Sequence, residues 1–175
     1  MKPMRAILSA ACFAFAVALA GCGFQLQGRQ VLPPVLEQVR LDAADRQSEF
    51  TRALRATLIA SGSRFVEGPR VTGGTDAADT AHPAEINIIR DEMTERVLSV
   101  DARNIPTDYE LTYKVEIQVR LGARELMAPE NFELSRIYSF DERRQLAKDR
   151  EKEILREALA RDLASVVSRR LSTLQ

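Results

Sequence analysis

Between residues 109 and 121 apolar and polar side chains alternate without a break. Tyr109, Leu111, Tyr113, Val115, Ile117, Val119 and Leu121 fall on one face, and Glu110, Thr112, Lys114, Glu116, Gln118 and Arg120 on the other. A period of two over that length predicts a long antiparallel-type strand with one buried face and one wet face. Upstream, residues 85–100 read as another strand with a fault in it. Ile86 and Ile88 alternate, Ile89 shifts the phase, and Val97-Leu98-Ser99-Val100 resumes it, so a bulge is expected between residues 90 and 94. Residues 101–108, with Asn104 and Pro106, form the turn between these strands. Gly122 and Pro129 bracket the next turn. Phe132, Leu134, Tyr138 and Phe140 then alternate in a further strand, whose apolar face Arg136 interrupts. Residues 35–41, with Val35, Val39 and Leu41 on one side, supply a first, shorter strand.

Two segments change the period to helical. Phe50, Ala53, Leu54, Thr57 and Leu58 stand at i, i+3, i+4, i+7 and i+8, with Asp45 or Ser48 able to cap the start and Gly62 placed to end it. From about residue 141 to 174, Ile154, Leu155, Ala158, Leu159, Leu163, Val166, Val167, Leu171 and Leu174 form a broad stripe. At 1.5 Å per residue that is a helix of roughly 50 Å. Residues 67–84 carry Gly68-Pro69, Gly73-Gly74 and no periodicity, and are expected to be a long mobile loop. The order strand, helix, three strands, helix defines an α+β fold. Each element has one apolar side, so the expected architecture is a two-layer sandwich with both helices on one face of a four-stranded mixed sheet. The other sheet face stays polar and meets either water or a hydrated partner surface.

Residues 1–30 obey a different pattern. Lys2 and Arg5 precede an uncharged apolar run from Ile7 to Ala20, which is too short to span a bilayer. It ends in Leu19-Ala20-Gly21-Cys22, which resembles the lipobox of bacterial lipoproteins. That resemblance implies cleavage before Cys22, lipid on its thiol and an acylated new amino terminus. Gly23, where a retained lipoprotein would carry Asp, implies transport onward to the outer membrane. The expected organisation is a cleaved leader over 1–21, a lipidated N-terminus and Pro33-Pro34 linker over 22–34, and one domain over 35–175. Two or more acyl chains give a stable tether where one gives a marginal one.

Composition removes several function classes. The chain has 25 Lys+Arg against 25 Asp+Glu, and loss of Lys2 and Arg5 with the leader leaves a slight acidic excess. No overall basic charge exists to hold nucleic acid. Cys12 leaves with the leader and Cys22 is acylated, so neither a disulfide nor a thiolate metal site is expected. Catalytic residues are not expected either. His82 is the only histidine, there is no Gly-x-Ser-x-Gly, and Gly73-Gly74 does not sit between a strand and a helix. Asp91 and Glu92 are adjacent and point to opposite faces of a strand. The expectation is a non-enzymatic protein with no metal and no cofactor beyond the covalent lipid.

As a whole the chain resembles the LptE family of lipopolysaccharide-assembly lipoproteins. The resemblance is carried by Cys22-Gly23-Phe24-Gln25-Leu26, by Asp108-Tyr109-Glu110-Leu111, by Leu146-Ala147-Lys148-Asp149 and by Arg169-Arg170-Leu171, in that order and spacing. It implies two helices on a four-stranded sheet, and a plug in the lumen of the LptD outer-membrane β-barrel in a one-to-one complex. It also implies help in that barrel's assembly, and lipopolysaccharide binding during insertion into the outer leaflet. Lys148 matches the lysine of the family's Leu-Ala-Lys segment, and Arg103 lies in the turn where the family places a basic residue; both are implied ligand contacts. Arg136, a cation on an apolar strand face, is a third candidate. Gln27 stands where many relatives have Arg, and the 67–84 loop is long, so loop-mediated contacts differ from the family pattern. The competing reading is another outer-membrane lipoprotein, an assembly-machine accessory or a peptidoglycan-binding module.

Overall fold

The computed structural model describes residues 31–67, 82–139 and 145–174. The leader, Cys22, residues 68–81 of the long loop and Phe140 lie outside the described residues. The elements are β1 (Gln38–Ala43), α1 (Glu49–Ala60), β2 (Arg64–Phe65), β3 (Ala84–Val100), β4 (Pro106–Leu121), β5 (Arg124–Ser139) and α2 (Gln145–Leu171). They build an α+β sandwich, with two helices against a sheet ordered β2-β1-β3-β4-β5. β1 runs parallel to β2 and β3, whereas β3, β4 and β5 are antiparallel.

The sheet has five strands where the hydrophobic pattern implied four. The extra one, β2, joins β1 through only Gln38↔Arg64 and Val39↔Phe65, and two residues leave no periodicity to detect. β1 also starts later than the pattern suggested. Pro34–Leu36 form a 3-10 turn, closed by the Leu36 N–H donating to the Pro33 carbonyl at 2.9 Å, which drops Leu36 into the core. At α1 the cap is Ser48, whose Oγ accepts from the Thr51 N–H at 3.0 Å. Asp45 instead accepts from the Gln47 N–H at 2.8 Å. Gly62, at φ +103°, ends the helix in the left-handed conformation that a Cβ would strain.

The bulge in β3 falls at Ile89, just before the expected stretch, because pairing with β4 steps from Ile88↔Ile117 to Arg90↔Glu116. One extra residue exchanges the faces. Ile86 and Ile88 point into the core before it, and Asp91, Met93, Glu95 and Val97 share the register of β4's inward residues after it. The hairpin into β5 is also tighter than expected. Leu121 pairs with Arg124, leaving the two-residue turn Gly122-Ala123 with Gly122 at φ +56°. Pro129 then lies inside β5, where the register steps between Val119↔Met127 and Ile117↔Glu130. β5 is an edge strand, and a proline at a bulge there interrupts no ladder of a central strand.

The core lies between the layers. Val39, Ile86, Ile88, Leu111, Tyr113, Val115, Ile117 and Val119 face Phe50, Leu54 and Leu58 of α1 and Leu159, Leu163, Val167 and Leu171 of α2. α2 has 27 residues, about 40 Å. Its core-facing stripe starts later than the sequence suggested: Ile154 is 60% exposed, and among residues 150–174 full burial begins at Leu159.

Candidate ligand and partner surfaces

The ends of β3 and β5, the start of β4 and the first turns of α2 lie together at one end of the sheet, termed here the distal end. Loop 101–105 closes it. The Asp101 carboxylate organises that loop, its Oδ1 accepting the Arg103 and Ile105 N–H groups at 2.7 and 3.0 Å, and Asn104 takes the left-handed conformation at φ +61°. Arg103, 73% exposed at its side chain, donates from Nε and Nη2 to Asp101 Oδ2 at 3.0 and 2.9 Å. The Ile105 N–H and then the Arg103 guanidinium hold the Asp101 carboxyl below its ordinary value. Asp108, next to this loop, accepts from the Ser99 and Ser139 hydroxyls, which lower its pKa as well.

The backbone of Lys148 lies in the first turn of α2; its side chain is outside the described residues. One turn further, Lys152 donates from Nζ to Glu95 Oε2, and the Tyr138 hydroxyl donates to Glu95 Oε1 at 2.5 Å. Tyr138 stacks on Tyr109, with ring centroids 5.5 Å apart and planes 15° apart. Burial raises the Glu95 pKa, but the hydrogen bonds from Lys152 and Tyr138 outweigh it and leave the carboxyl below its ordinary value. Burial, and then Glu95, push the Tyr138 phenol up. Sequence reasoning singled out none of Glu95, Tyr138 and Lys152 as functional, since they come from three elements and meet only in the fold.

Arg136 is placed differently. Opposite Leu111 on the helix side of β5, it donates from Nη2 to Asp162 of α2. The pair spans an open groove of about 770 Å³ whose walls include Leu134, Leu155, Leu159 and Val166. Arg136 thus links the edge strand to the helix, and a ligand anion reaching it must displace Asp162. Of the three candidate cations, Arg103 and the turn bearing Lys148 lie toward the distal end, and Arg136 stands on the cross-strand row of Leu111 and Glu95.

The opposite face of the sheet is a ladder of cross-strand pairs. Arg40 meets Glu85 at 2.9 Å, Arg90 meets Glu116 at 3.8 Å, Arg96 pairs with Glu110, and Lys114 meets Glu133 at 3.1 Å. Between them Thr112 and Ser135 share a hydrogen bond of 2.8 Å, and Gln118 donates to Glu125 at 2.8 Å. Neighbouring opposite charges are the stabilising arrangement on a sheet surface, and here they make the face polar, hydrated and locally neutral. A hollow of about 380 Å³ beside β1 and β2 also gathers Arg40, Arg46 and Arg55. Arg40 is taken by Glu85, and Arg55 lies over the Phe65 ring at 4.7 Å. Among the described residues no group of three or more His, Cys, Asp or Glu side chains could hold a metal ion, and no helix is long and apolar enough to cross a membrane.

Comparison with known proteins bears on this arrangement. The family model for LptE, described as lipopolysaccharide-assembly, matches residues 36–171, which takes in every helix and strand described above. The LPS-assembly lipoprotein LptE of Yersinia enterocolitica is 28% identical over 160 residues, covering 87% of this chain and 69% of its own length. The protein of the same name from Pectobacterium atrosepticum is 26% identical over 155 residues, covering 89% of this chain and 79% of its own length. Among solved structures, the crystal structure of rare lipoprotein B from Shewanella oneidensis gives a TM-score of 0.62 at 28% identity, over 78% of this chain and 94% of that one. The solution structure of an uncharacterized lipoprotein B from Nitrosomonas europaea gives a TM-score of 0.65 at 24% identity, over 86% and 90% of the two chains, and speaks to fold alone.

Proposed function

The chain belongs to the LptE lipopolysaccharide-assembly family, and from that premise we propose that it is an outer-membrane lipoprotein that plugs the LptD β-barrel. Lipid on Cys22 tethers it, it assists the barrel's assembly in a one-to-one complex, and its distal end binds lipopolysaccharide on the way to the outer leaflet. The role is binding and filling, not catalysis. The observation that carries this reading is the ladder of paired charges across the helix-free face of the sheet. The lumen of a large barrel is polar and hydrated, and a locally neutral face sits against such a wall without stranding a bare charge.

At the distal end the supporting observation is the exposure of the Arg103 side chain. Asp101 keeps two backbone donors without it, and an Arg–carboxylate pair open to solvent adds little to stability. A phosphate of lipopolysaccharide offers Arg103 a charge-assisted, bidentate partner in exchange. Lys148 supplies a second cation at the same end. Arg136 contributes only where the ligand outcompetes Asp162.

Affinity purification of the tagged full-length protein from detergent-solubilised membranes tests the partner. A stoichiometric large barrel protein is expected. Recovery with peptidoglycan or another assembly machine alone would replace this reading with the competing lipoprotein one. For the ligand, Lys148→Glu and Arg103→Glu are each expected to weaken lipopolysaccharide capture about tenfold, the loss of one charge-assisted contact, with the thermal midpoint unchanged. Full binding by both variants would remove the distal end as the site.

A further inference from the structure

The bulge at Ile89 aims two carboxylates under the helix layer. Asp91 receives the hydroxyls of Ser48 and Tyr113 at the start of α1, and Glu95 receives Lys152 near the start of α2. Without that register step, both side chains would lie on the polar face, and Arg90 and Arg96 would turn toward the helices. The α2 contact matters because, among the described side chains, the helix has no fully buried apolar anchor before Leu159. Residues 150–158 include no fully buried side chain. Leu155 is partly buried against the core, and the remaining attachments described are polar, from Lys152 to Glu95 and from Arg156 to Glu49 at 3.4 Å. Glu95 is itself fixed from the other side by Tyr138, which the Tyr109 ring backs. One carboxylate therefore ties β3, β5 and α2 together.

We propose that Glu95 and Lys152 are positioning residues for lipopolysaccharide binding, clasping α2 to the sheet and so fixing the preceding turn of the helix, which carries Lys148. Residues four apart on a helix lie on one side and about 6 Å along the axis, so fastening Lys152 sets where Lys148 stands. This rests on the reading of Lys148 as a ligand contact. The clasp is a partly exposed ion pair, so opening it moves the helix start and spares the core.

Lipopolysaccharide binding by the full-length lipoprotein in detergent, with thermal midpoints in parallel, tests the proposal. Glu95→Gln and Lys152→Met are each expected to weaken binding about fivefold, and Lys152→Arg is expected to retain it. Glu95→Gln combined with Lys148→Ala should bind no more weakly than Lys148→Ala alone, because the clasp acts only through that lysine. Losses that add in the double variant would overturn the proposal, as would Glu95→Gln at full affinity while Lys148→Ala is impaired. Full affinity in Lys148→Ala itself would instead sink the reading of Lys148, and the positioning role with it.

Discussion

β4 crosses two unlike regions. From Leu111 to Leu121 its inward side chains are buried between the sheet and both helices. From Pro106 to Glu110 they are only partly covered, and the neighbouring strand ends carry exposed Val97, Val100 and Ile137. The first region is held by dry packing, which tolerates no exchange of partners. The second is held by Asp101, Asp108, Glu95 and their donors, bonds that water or a ligand can replace at little cost. The rigid body and the surface whose bonds can be exchanged thus lie at opposite ends of the same strands.

The largest test of that contrast is a pair of truncations. Leu163→Ala, at a fully buried site facing the sheet, is expected to cost about 2–5 kcal/mol in denaturant unfolding. Val97→Ala, at a side chain 49% exposed, should cost less than about 0.5 kcal/mol. Comparable losses would mean that the distal end is part of the core.

Tyr113→Phe probes the boundary. The phenol accepts the Phe50 N–H at 3.1 Å and donates to Asp91 at 2.7 Å, and burial, then Asp91, push its pKa up. Deleting the hydroxyl leaves a helix-start N–H and a carboxylate oxygen short of a partner, for an expected loss of about 1–3 kcal/mol. A loss near zero would show that water reaches this point and that the dry region ends below it.

The two regions were unequally legible in the sequence. The alternation through β4 and the Ser48 cap state their structure in neighbouring residues, so the packed end could be read directly. The bulge at Ile89 could be sensed from the phase shift but not located, since pairing decides where an extra residue is absorbed. Gly122 was legible as a turn, but Pro129 hid the tight hairpin because nothing local marks β5 as an edge. At the distal end, Arg103 and Lys148 came from family resemblance. The contacts Arg136–Asp162 and Glu95–Lys152 join residues 26 and 57 positions apart, and no local pattern connects them.

Within the packed end, Ser168 is the exception. It is fully buried in α2, and its hydroxyl has no hydrogen-bond partner among the described residues. An unsatisfied buried hydroxyl is a cost without a return. Ser168→Ala is therefore expected to stabilise by about 1 kcal/mol in the same unfolding assay, sharpening the view that apolar packing holds this part of α2. Destabilisation would reveal a polar role for the residue.

The smallest effect expected is on pH, and it separates the regions by sign and by place. Glu95, Asp101 and Asp108 all have folded-state pKa values below their ordinary 4.5, 3.8 and 3.8. A lowered carboxyl favours the folded state fully above its ordinary value, and that contribution disappears as pH falls through the lowered one. No change is expected between neutrality and about pH 5, and below that the distal end should loosen first. Because these groups are partly exposed, solvent screening keeps the Glu95 contribution well under about 1 kcal/mol. Amide-exchange protection factors are the suitable measure, since they report each strand separately. Protection at residues 95–110 should fall with acid while that of residues 113–119 holds, and Glu95→Gln should remove part of the pH dependence. A uniform fall along β4 would show that the two ends open as one.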